Sequence, residues 1–379
     1  MALNWQAPSG SNFDDTFYAY LKAMESDTLA PVPVNGNPTI GVGFDLVAGG
    51  KPVQDAVLIG LGLKPSIVAL SPVQAAAYPA GSWQAIEYGY VKQLRDLMVP
   101  GGSAAAMDQV MGTRAQNQDP QFAANVSNRR SSFAFANDTE VRQVYTNLLP
   151  AYVKKVTDAY PSLLGDTAFA TSREKMVLTD LAWNGGTGLL GSGLGSAIAS
   201  GNRAEAWYQI RYQSNKGGWA EINLGLTPNS PPYYGAGLAK RRYIESQVFG
   251  LYDNPSSVSL AEAQNAYLML QAHRTDMLRY EAKYGVSPDG TLGQRDMITE
   301  ANQTGVAVVD TVVQAFDPAE TALFSNLSGK YGQSAGISAL LTSTNFISTD
   351  VYVGADFVPD SIVALNNDAS VLVAGTGND

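Results

Sequence analysis

Residues 39–45, with the sequence TIGVGFD, constrain the fold of this chain more than any other stretch. Gly41 and Gly43 flank a single residue, and glycine supplies the positive φ angles that a tight reversal of the chain requires. A turn centred between them pairs Thr39 with Asp45 across two antiparallel strands, with Cβ atoms about 5 Å apart. A straight strand would separate the same two residues by roughly 20 Å. We therefore predict a β-hairpin that presents a hydroxyl and a carboxylate side by side.

A short amphipathic helix is predicted before this hairpin. Apolar side chains such as Phe17 and Leu21 follow helical spacing over residues 15–25. Glu25 lies at the C-terminal end of this helix, fourteen residues before Thr39. Burial beside the apolar stripe and the negative end of the helix dipole both favour the protonated form of its carboxyl group. A carboxylic acid that keeps its proton near neutral pH is what a general acid requires.

A proton-bearing acid, a second carboxylate and a hydroxyl in one compact unit are the groups that glycoside hydrolysis uses. We therefore predict Glu25, Asp45 and Thr39 as catalytic residues. Each has a structural alternative. Glu25 could be a solvated acid at a helix end, and Thr39 a strand residue chosen for its β propensity. Asp45 could pair with Lys51 or cap the turn that follows it.

Glu25 together with the motif TIGVG resembles the active-site lobe of the T4-type phage lysozymes. Asp45, six residues after the threonine, looks more like the pesticin-type bacterial muramidase toxins of the same superfamily. The resemblance implies an inverting cleavage of peptidoglycan. Glu25 would be the general acid, Asp45 would activate water, and Thr39 would help to position that water. It also implies a small β-hairpin lobe set on a larger helical lobe.

Other islands of the first 253 residues extend the resemblance. Residues 180–186 (DLAWNGG) are similar to the helix end that faces the cleft in this family, which makes Trp183 and Asn184 candidate substrate-binding residues. Trp183 could equally be a core residue, and Asn184 could simply end a helix. The family also places an arginine beside the glutamate, and Arg241 or Arg242 is the candidate here.

We predict an α+β, mainly helical fold in two domains. Residues 1–253 form the lysozyme-like domain, and residues 100–140 match nothing in the family and are interpreted as an insertion. A turn-rich stretch at residues 253–257 then leads into a smaller helical domain, residues 254–379, which opens with a long helix over residues 258–284. Alternating valines after Thr349 predict short strands near the C-terminus.

Composition excludes several classes of function. The chain has no cysteine and a single histidine, His273, so thiol catalysis, cysteine zinc sites and multi-histidine metal sites are excluded. A net charge of −10 argues against a nucleic-acid partner, because phosphate binding needs a basic surface. No run of eighteen apolar residues occurs, so we expect no transmembrane segment. No cofactor is expected.

The last residues, 371–379 (VLVAGTGND), resemble the first half of an RTX calcium-binding repeat. If repeats follow beyond Asp379, calcium would bind there and the protein would be secreted by a type I route with a C-terminal signal. It would then act in the periplasm or on the cell wall. The expected partner is the glycan strand of peptidoglycan, and the resemblance to toxins admits an immunity protein.

The sequence thus predicts a muramidase that cleaves the β-1,4 bond between N-acetylmuramic acid and N-acetylglucosamine. It would be a secreted antibacterial toxin or lytic effector. Three alternatives stay open at this point. The chain could be a lytic transglycosylase that uses Glu25 alone, a chitinase-like glycosidase, or a non-catalytic cell-wall-binding module of a large RTX protein.

Overall fold

A computed structural model describes residues 3–8, 12–25, 27–331, 350–353 and 370–373. The chain forms two compact units. The first, here called the N-terminal unit, is Ser9–Val156; the second, the C-terminal unit, is Met1–Pro8 with Thr157–Asp379. Helices dominate both, and the N-terminal unit adds a three-stranded antiparallel sheet. The prediction of a mainly helical α+β fold is confirmed.

The N-terminal unit holds the sheet and eight helices among its described residues, and the last helix ends just past its boundary. The strands are β1 (Asp27–Val34), β2 (Asn37–Val42) and β3 (Phe44–Asp45). The helices are α1 (Phe13–Met24), α2 (Gly50–Gly60), α3 (Pro65–Val68), α4 (Pro72–Ala76), α5 (Trp83–Leu97), α6 (Ala104–Ala115), α7 (Pro120–Asn125) and α8 (Asp138–Ala159).

Helix α1 forms where the apolar spacing predicts it. Asn12 caps its N-terminus by accepting a hydrogen bond from the backbone N–H of Asp14, at 3.0 Å, and this satisfies a donor that has no partner within the helix. Phe17 and Leu21 are fully buried on its inner face. The helix ends at Glu25, whose N–H still donates to the carbonyl of Leu21 while its own backbone is extended. The chain therefore leaves the helix at Glu25 and enters the sheet.

The hairpin of residues 39–45, here called the glycine-hinged hairpin, forms in the predicted register. Strands β2 and β3 pair Thr39 with Asp45 and Ile40 with Phe44. Gly41 and Gly43 both have positive φ, +63° and +76°. Ile40 and Phe44 point into the core, so the opposite face of the hairpin carries the threonine and the aspartate.

Strand β1, which contains Pro31 and Pro33, was not predicted from the sequence. It pairs only with β2 and is an edge strand, where a proline without an N–H is tolerated. The turn between β1 and β2 is Asn35-Gly36, with φ values of +50° and +82°. An Asn-Gly pair is the strongest short-range signal for such a turn, so the sequence did contain the information.

Helix α8 packs against both α1 and the hairpin of β2 and β3. The ring of Tyr145 packs edge-on against Phe17 of α1, with the ring centroids 6.1 Å apart. Val141, one turn earlier on α8, lies against the backbone at Gly41: a Cβ added to this glycine would be 3.1 Å from the Val141 side chain. Helix and hairpin are therefore positioned by one common element.

Residues 100–140, interpreted above as an insertion, are built into the N-terminal unit. Arg114 on α6 forms a two-pronged ion pair with Glu87 on α5, with both N–O distances 2.8 Å and both side chains fully buried. Gly101 donates its N–H to the carbonyl of Gly36 at 2.7 Å, at the tip of the β1–β2 hairpin. Breaking a buried ion pair by removing one partner costs about 3–5 kcal/mol, because the other charge stays desolvated. The segment is thus part of the core.

Among its described residues, the C-terminal unit is helical apart from two short strands. Its helices are α9 (Arg173–Gly185), α10 (Ser192–Ser200), α11 (Arg203–Tyr208), α12 (Lys216–Asn223), α13 (Gly235–Phe249), α14 (Leu260–Tyr284), α15 (Met297–Asn302) and α16 (Val312–Tyr331). Strands β4 (Asp350–Val353) and β5 (Ser370–Val373) pair in parallel. Short 3₁₀ and π turns complete the described helical segments at Pro161–Leu163, Phe169–Thr171, Gly186–Leu189 and Gln209–Gln213.

The structure divides the chain at a different place from the predicted boundary at residue 253. Residues on both sides of that boundary share a buried network around Glu281 of α14. Its carboxylate accepts hydrogen bonds from the hydroxyls of Tyr212, at 2.7 Å, and Tyr243, at 3.0 Å, and lies beside the guanidinium of Arg211. A buried carboxylate needs such partners. Helix α14, predicted over residues 258–284, therefore belongs to the same core as α11 and α13.

The predicted C-terminal strands are confirmed in part. Val351 and Val353 lie in β4, and Val371 and Val373 lie in β5. The remaining predicted strand residues and the RTX-like residues 374–379 lie outside the described residues. No helix among the residues that the structure describes is long and apolar enough to cross a membrane.

Glu320 on α16 makes the stability of the fold depend on pH. Burial, aided by the charge of Asp317, raises the pKa of Glu320 to about 7. Its carboxyl group therefore holds a proton in the folded protein at pH values where the unfolded chain has lost it. Stability from this group is complete below the unfolded value of 4.5 and is lost as the pH rises through about 7.

We expect Glu320→Gln to flatten the fall in unfolding free energy between pH 5 and pH 8. The amide cannot ionise, so a slope of at most about 1.4 kcal/mol per pH unit should disappear. Urea denaturation of both proteins at several pH values measures it. Asp317→Asn is the matched control. Loss of the neighbouring charge should lower the pKa of Glu320. The free energy of unfolding at pH 7 should therefore be higher than in wild type, but it should still fall as the pH rises. Equal slopes in wild type and Glu320→Gln would contradict the assignment.

Candidate functional site

Glu25 lies directly against the turn of the glycine-hinged hairpin. A Cβ atom added to Gly43 would be 2.8 Å from Cδ and 3.1 Å from Oε2 of Glu25. Real Cβ atoms essentially never come within 3.0 Å of a non-bonded atom, so a side chain at position 43 would require the Glu25 carboxyl group to move. The same glycine has φ +76°. Glycine is therefore favoured at this position both by the backbone conformation of the turn and by the close approach of Glu25. Glu25 itself is partly exposed.

Asp45 is held in one orientation by three hydrogen bonds. Its Oδ1 accepts the backbone N–H groups of Val47 and Ala48, both at 2.8 Å. Its Oδ2 accepts the side-chain amide of Asn37 at 2.9 Å. A carboxylate offers about four acceptor positions, so Oδ2 keeps room for one more donor. The turn-capping alternative is thus realised, and the group can still accept a further hydrogen bond.

Lys51, the other partner considered for Asp45, pairs with Asp55 one turn along α2. Asp45 is therefore not neutralised by that lysine. The side-chain amide that donates to Asp45 belongs to Asn37, a residue that the sequence analysis did not identify. Asn37 lies two residues before Thr39 on β2 and so points to the same face of the sheet. This diagonal position opposite Asp45 is the signal that could have identified it.

Thr39 is almost fully buried, with 7% of its surface exposed. Its hydroxyl donates to the carbonyl of Asn37 over 3.4 Å, a weak contact. The side-chain donor to Asp45 is instead the amide of Asn37. The hydroxyl still lies on the face of the hairpin that carries Asp45, because the two residues pair directly.

Tyr152 of α8 lies near Asp45. Burial, and then the negative charge of Asp45, raise the pKa of this tyrosine, so its hydroxyl keeps its proton. The ammonium group of Lys155 lies 4.0 Å from the centroid of the Tyr152 ring, in the geometry of a cation–π contact. Burial lowers the pKa of Lys155. Helix α8 therefore carries a neutral tyrosine hydroxyl that is close enough to Asp45 to be affected by its charge.

Trp183 and Asn184, the predicted substrate-binding residues, lie at the C-terminal end of α9 in the C-terminal unit. Trp183 is 9% exposed and packs as a core residue. Asn184 is exposed, and its side-chain oxygen accepts a hydrogen bond from Arg242 at 3.0 Å. The core alternative stated for Trp183 therefore fits its burial, and Asn184 is the more accessible of the two. Their role in substrate binding stays a prediction.

Arg241 and Arg242 belong to a buried ionic cluster on α13. Arg241 pairs with Asp180 and, at 3.3 Å, with Glu245, while Arg242 pairs with Glu245. Burial is the main reason that the pKa of Glu245 rises to about 8; Arg242 opposes the rise and the charge of Asp180 adds to it. The cluster joins α9 to α13. A role of either arginine in steadying Glu25 stays a prediction.

Metal ligation has no support among the residues that the structure describes, where no group of three or more His, Asp or Glu could hold an ion. The chemistry available at the hairpin is that of two carboxyl groups. One, from Glu25, is partly exposed at the turn. The other, from Asp45, is fixed by backbone and side-chain amides on the paired strand. A proton donor and a fixed carboxylate are the components of general acid–base catalysis.

Comparisons with protein-family models, with curated proteins and with solved structures find no match to this chain. We therefore infer function from the residues and their geometry.

Gly43→Ala should destabilise the protein more than Gly36→Ala. Both glycines have φ near +80°, so both substitutions carry the cost of a left-handed alanine, about 1–2 kcal/mol. Only at Gly43 would the methyl group also collide with Glu25, whereas at Gly36 it meets nothing within 4 Å. Relief of this collision requires the Glu25 side chain to move, which should add a further loss at Gly43. Urea denaturation measures both losses, and equal losses would show that the Glu25 side chain is not held against the turn.

Proposed function

We propose that the chain is a muramidase of the T4-type lysozyme superfamily, closest to the pesticin-type toxins, which cleaves the β-1,4 bond after N-acetylmuramic acid in peptidoglycan. The observation that carries the proposal is the contact of the Glu25 carboxyl with Gly43, at the turn whose strands pair Thr39 with Asp45. Acid, second carboxylate and hydroxyl thus belong to one rigid unit of structure.

In this proposal Glu25 protonates the glycosidic oxygen as the sugar leaves. Its place at the end of α1, against a turn that admits no side chain, fixes the acid at the hairpin. The backbone leaves the helix at this residue, and the residue is partly exposed. The positive charge that develops on the sugar ring needs a fixed negative partner.

Asp45 supplies that partner and activates the attacking water. Two backbone amides and the amide of Asn37 hold its carboxylate, so no reorganisation is needed when charge develops. The free acceptor position on Oδ2 would receive the water. Thr39, next to Asp45 on the paired strand, would contribute to the shape of the water site. An inverting reaction requires the two carboxyl groups to be about 6.5–9.5 Å apart.

Secretion and an antibacterial role remain parts of the same proposal. They rest on the resemblance to pesticin-type toxins and on the RTX-like residues 371–379. The glycan strand is the proposed partner, and an immunity protein would be the second if the target includes the producing cell.

Zymography on purified peptidoglycan tests the assignment. We expect Glu25→Gln to abolish clearing and Asp45→Asn to lower it at least about a hundredfold, the usual effect of removing an acid–base group. Circular dichroism should show that both variants fold. Unchanged clearing by Glu25→Gln would refute the proposal.

A donor–acceptor exchange separates catalysis by Asp45 from capping. In Asp45→Asn, the NH2 group of the new side chain would face the NH2 group of Asn37. Two hydrogen-bond donors would then oppose each other. The double variant Asn37→Asp/Asp45→Asn reverses the hydrogen bond and keeps the cap of Val47 and Ala48, but moves the charge away from position 45. We expect it to recover thermal stability and not activity. Recovery of clearing would show that Asp45 has only a structural role.

A further inference from the structure

Tyr234 has a backbone conformation that is unusual for its residue type. It lies in the loop of residues 224–234 between α12 and α13, here called the Tyr234 loop, with φ 48° and ψ 41°. The other non-glycine residues with positive φ in the described part of the chain are Asn35 and Asn229. Asparagine tolerates this region, whereas for a bulky residue it is a genuine outlier. The surrounding structure must therefore impose it.

Glu221, a buried residue of α12, fixes both ends of the segment around Tyr234. Its carboxylate accepts the backbone N–H of Asn229 and that of Gly235, each at 3.0 Å. The hydroxyl of Tyr284 on α14 donates to the same carboxylate. The loop is thus anchored on two helices of the C-terminal unit. Strained residues persist where such anchoring over-determines the backbone, and they cluster at ligand sites.

The short turn before Tyr234 is equally fixed. The carbonyl of Ser230 accepts the N–H of Tyr233 at 2.9 Å and that of Tyr234 at 3.1 Å. The carbonyl of Tyr233 lies so close to α12 that a Cβ on Gly217 would be 2.4 Å from it. The backbone from which the Tyr234 ring projects is therefore set by contacts of its neighbours.

The ring fixed in this way faces solvent. Tyr234 is 47% exposed and Leu224, at the start of the loop, is 59% exposed. Within the described part of the chain, the hydroxyl of Tyr234 makes no hydrogen bond. All eleven residues of the loop are uncharged, in a chain of net charge −10. A rigid, uncharged surface with an aromatic ring and a polar edge suits a neutral ligand with one apolar face.

We propose that Tyr234 is a stacking platform for a pyranose ring of a glycan strand. The ring hydrogens of the sugar would lie on the aromatic face, and the tyrosine hydroxyl would meet a sugar hydroxyl or acetamide group. This deepens the proposed function and rests on it, because an enzyme that cleaves a polymer needs contacts to sugars beyond the reacting pair. The hydroxyls of Thr227 and Ser230, in the same loop, offer further partners.

Binding to purified sacculi in a Glu25→Gln background tests the platform without turnover. Tyr234→Asn removes the ring and places a residue that tolerates left-handed backbone, so the melting temperature should stay equal or rise. We expect its Kd for sacculi to increase about tenfold, the upper range for an aromatic contact. Tyr234→Phe keeps the ring and should bind within about twofold of the parent. Leu292→Ala, at an exposed apolar residue elsewhere in this unit, should bind like the parent.

Three results would overturn the platform: no binding of sacculi by Glu25→Gln, parental binding by Tyr234→Asn, or loss of binding when stem peptides are removed from the glycan. The last would mean that the loop recognises peptide. Failure of the proposed function is distinguishable, because it would appear as release of no glycan fragment by the wild-type protein while the Glu25→Gln variant still binds sacculi. That result leaves the comparison of Tyr234→Asn with its parent intact.

Discussion

The missing side chain of Gly43 is the constraint on which the candidate site depends. Because this position has no Cβ, the carboxyl group of Glu25 can lie against the hairpin turn, and because the backbone there has positive φ, the turn itself can close. Gly43 therefore links the position of the C-terminal end of α1 to the pairing of β2 with β3. Any larger residue would move the acid away from the strand that carries Asp45.

The capping of Asp45 and its proposed chemistry support each other. Amide donors that fix a turn also fix the carboxylate before substrate arrives, and a preorganised charge is the more effective one in catalysis. Helix α8 adds to this rigidity, since Tyr145 and Val141 pack against α1 and the hairpin. In the C-terminal unit, Glu221 plays a comparable part by fixing the loop that presents Tyr234.

Patterns along short stretches of the sequence predicted much of this arrangement. Contacts between residues that are far apart in the sequence were mostly not predicted. The two glycines determined the pairing of Thr39 with Asp45, and apolar spacing located α1 and α14. Strand β1 was missed, although the Asn-Gly turn beside it is a signal that could have identified it. The contact of Asn37 with Asp45 depends on strand pairing. The division of the chain could not be predicted, because Glu281 joins helices that are far apart in sequence through buried hydrogen bonds.

The most direct measurement is mass spectrometry of glycan fragments released from purified sacculi. Acid–base hydrolysis by Glu25 and Asp45 predicts fragments that end in reducing N-acetylmuramic acid, which borohydride converts to the alcohol. Fragments that end in 1,6-anhydro-N-acetylmuramic acid would instead indicate that Glu25 acts alone. Absence of any fragment from the wild-type protein would contradict the account that the glycine-hinged hairpin and the helix end form a hydrolytic site.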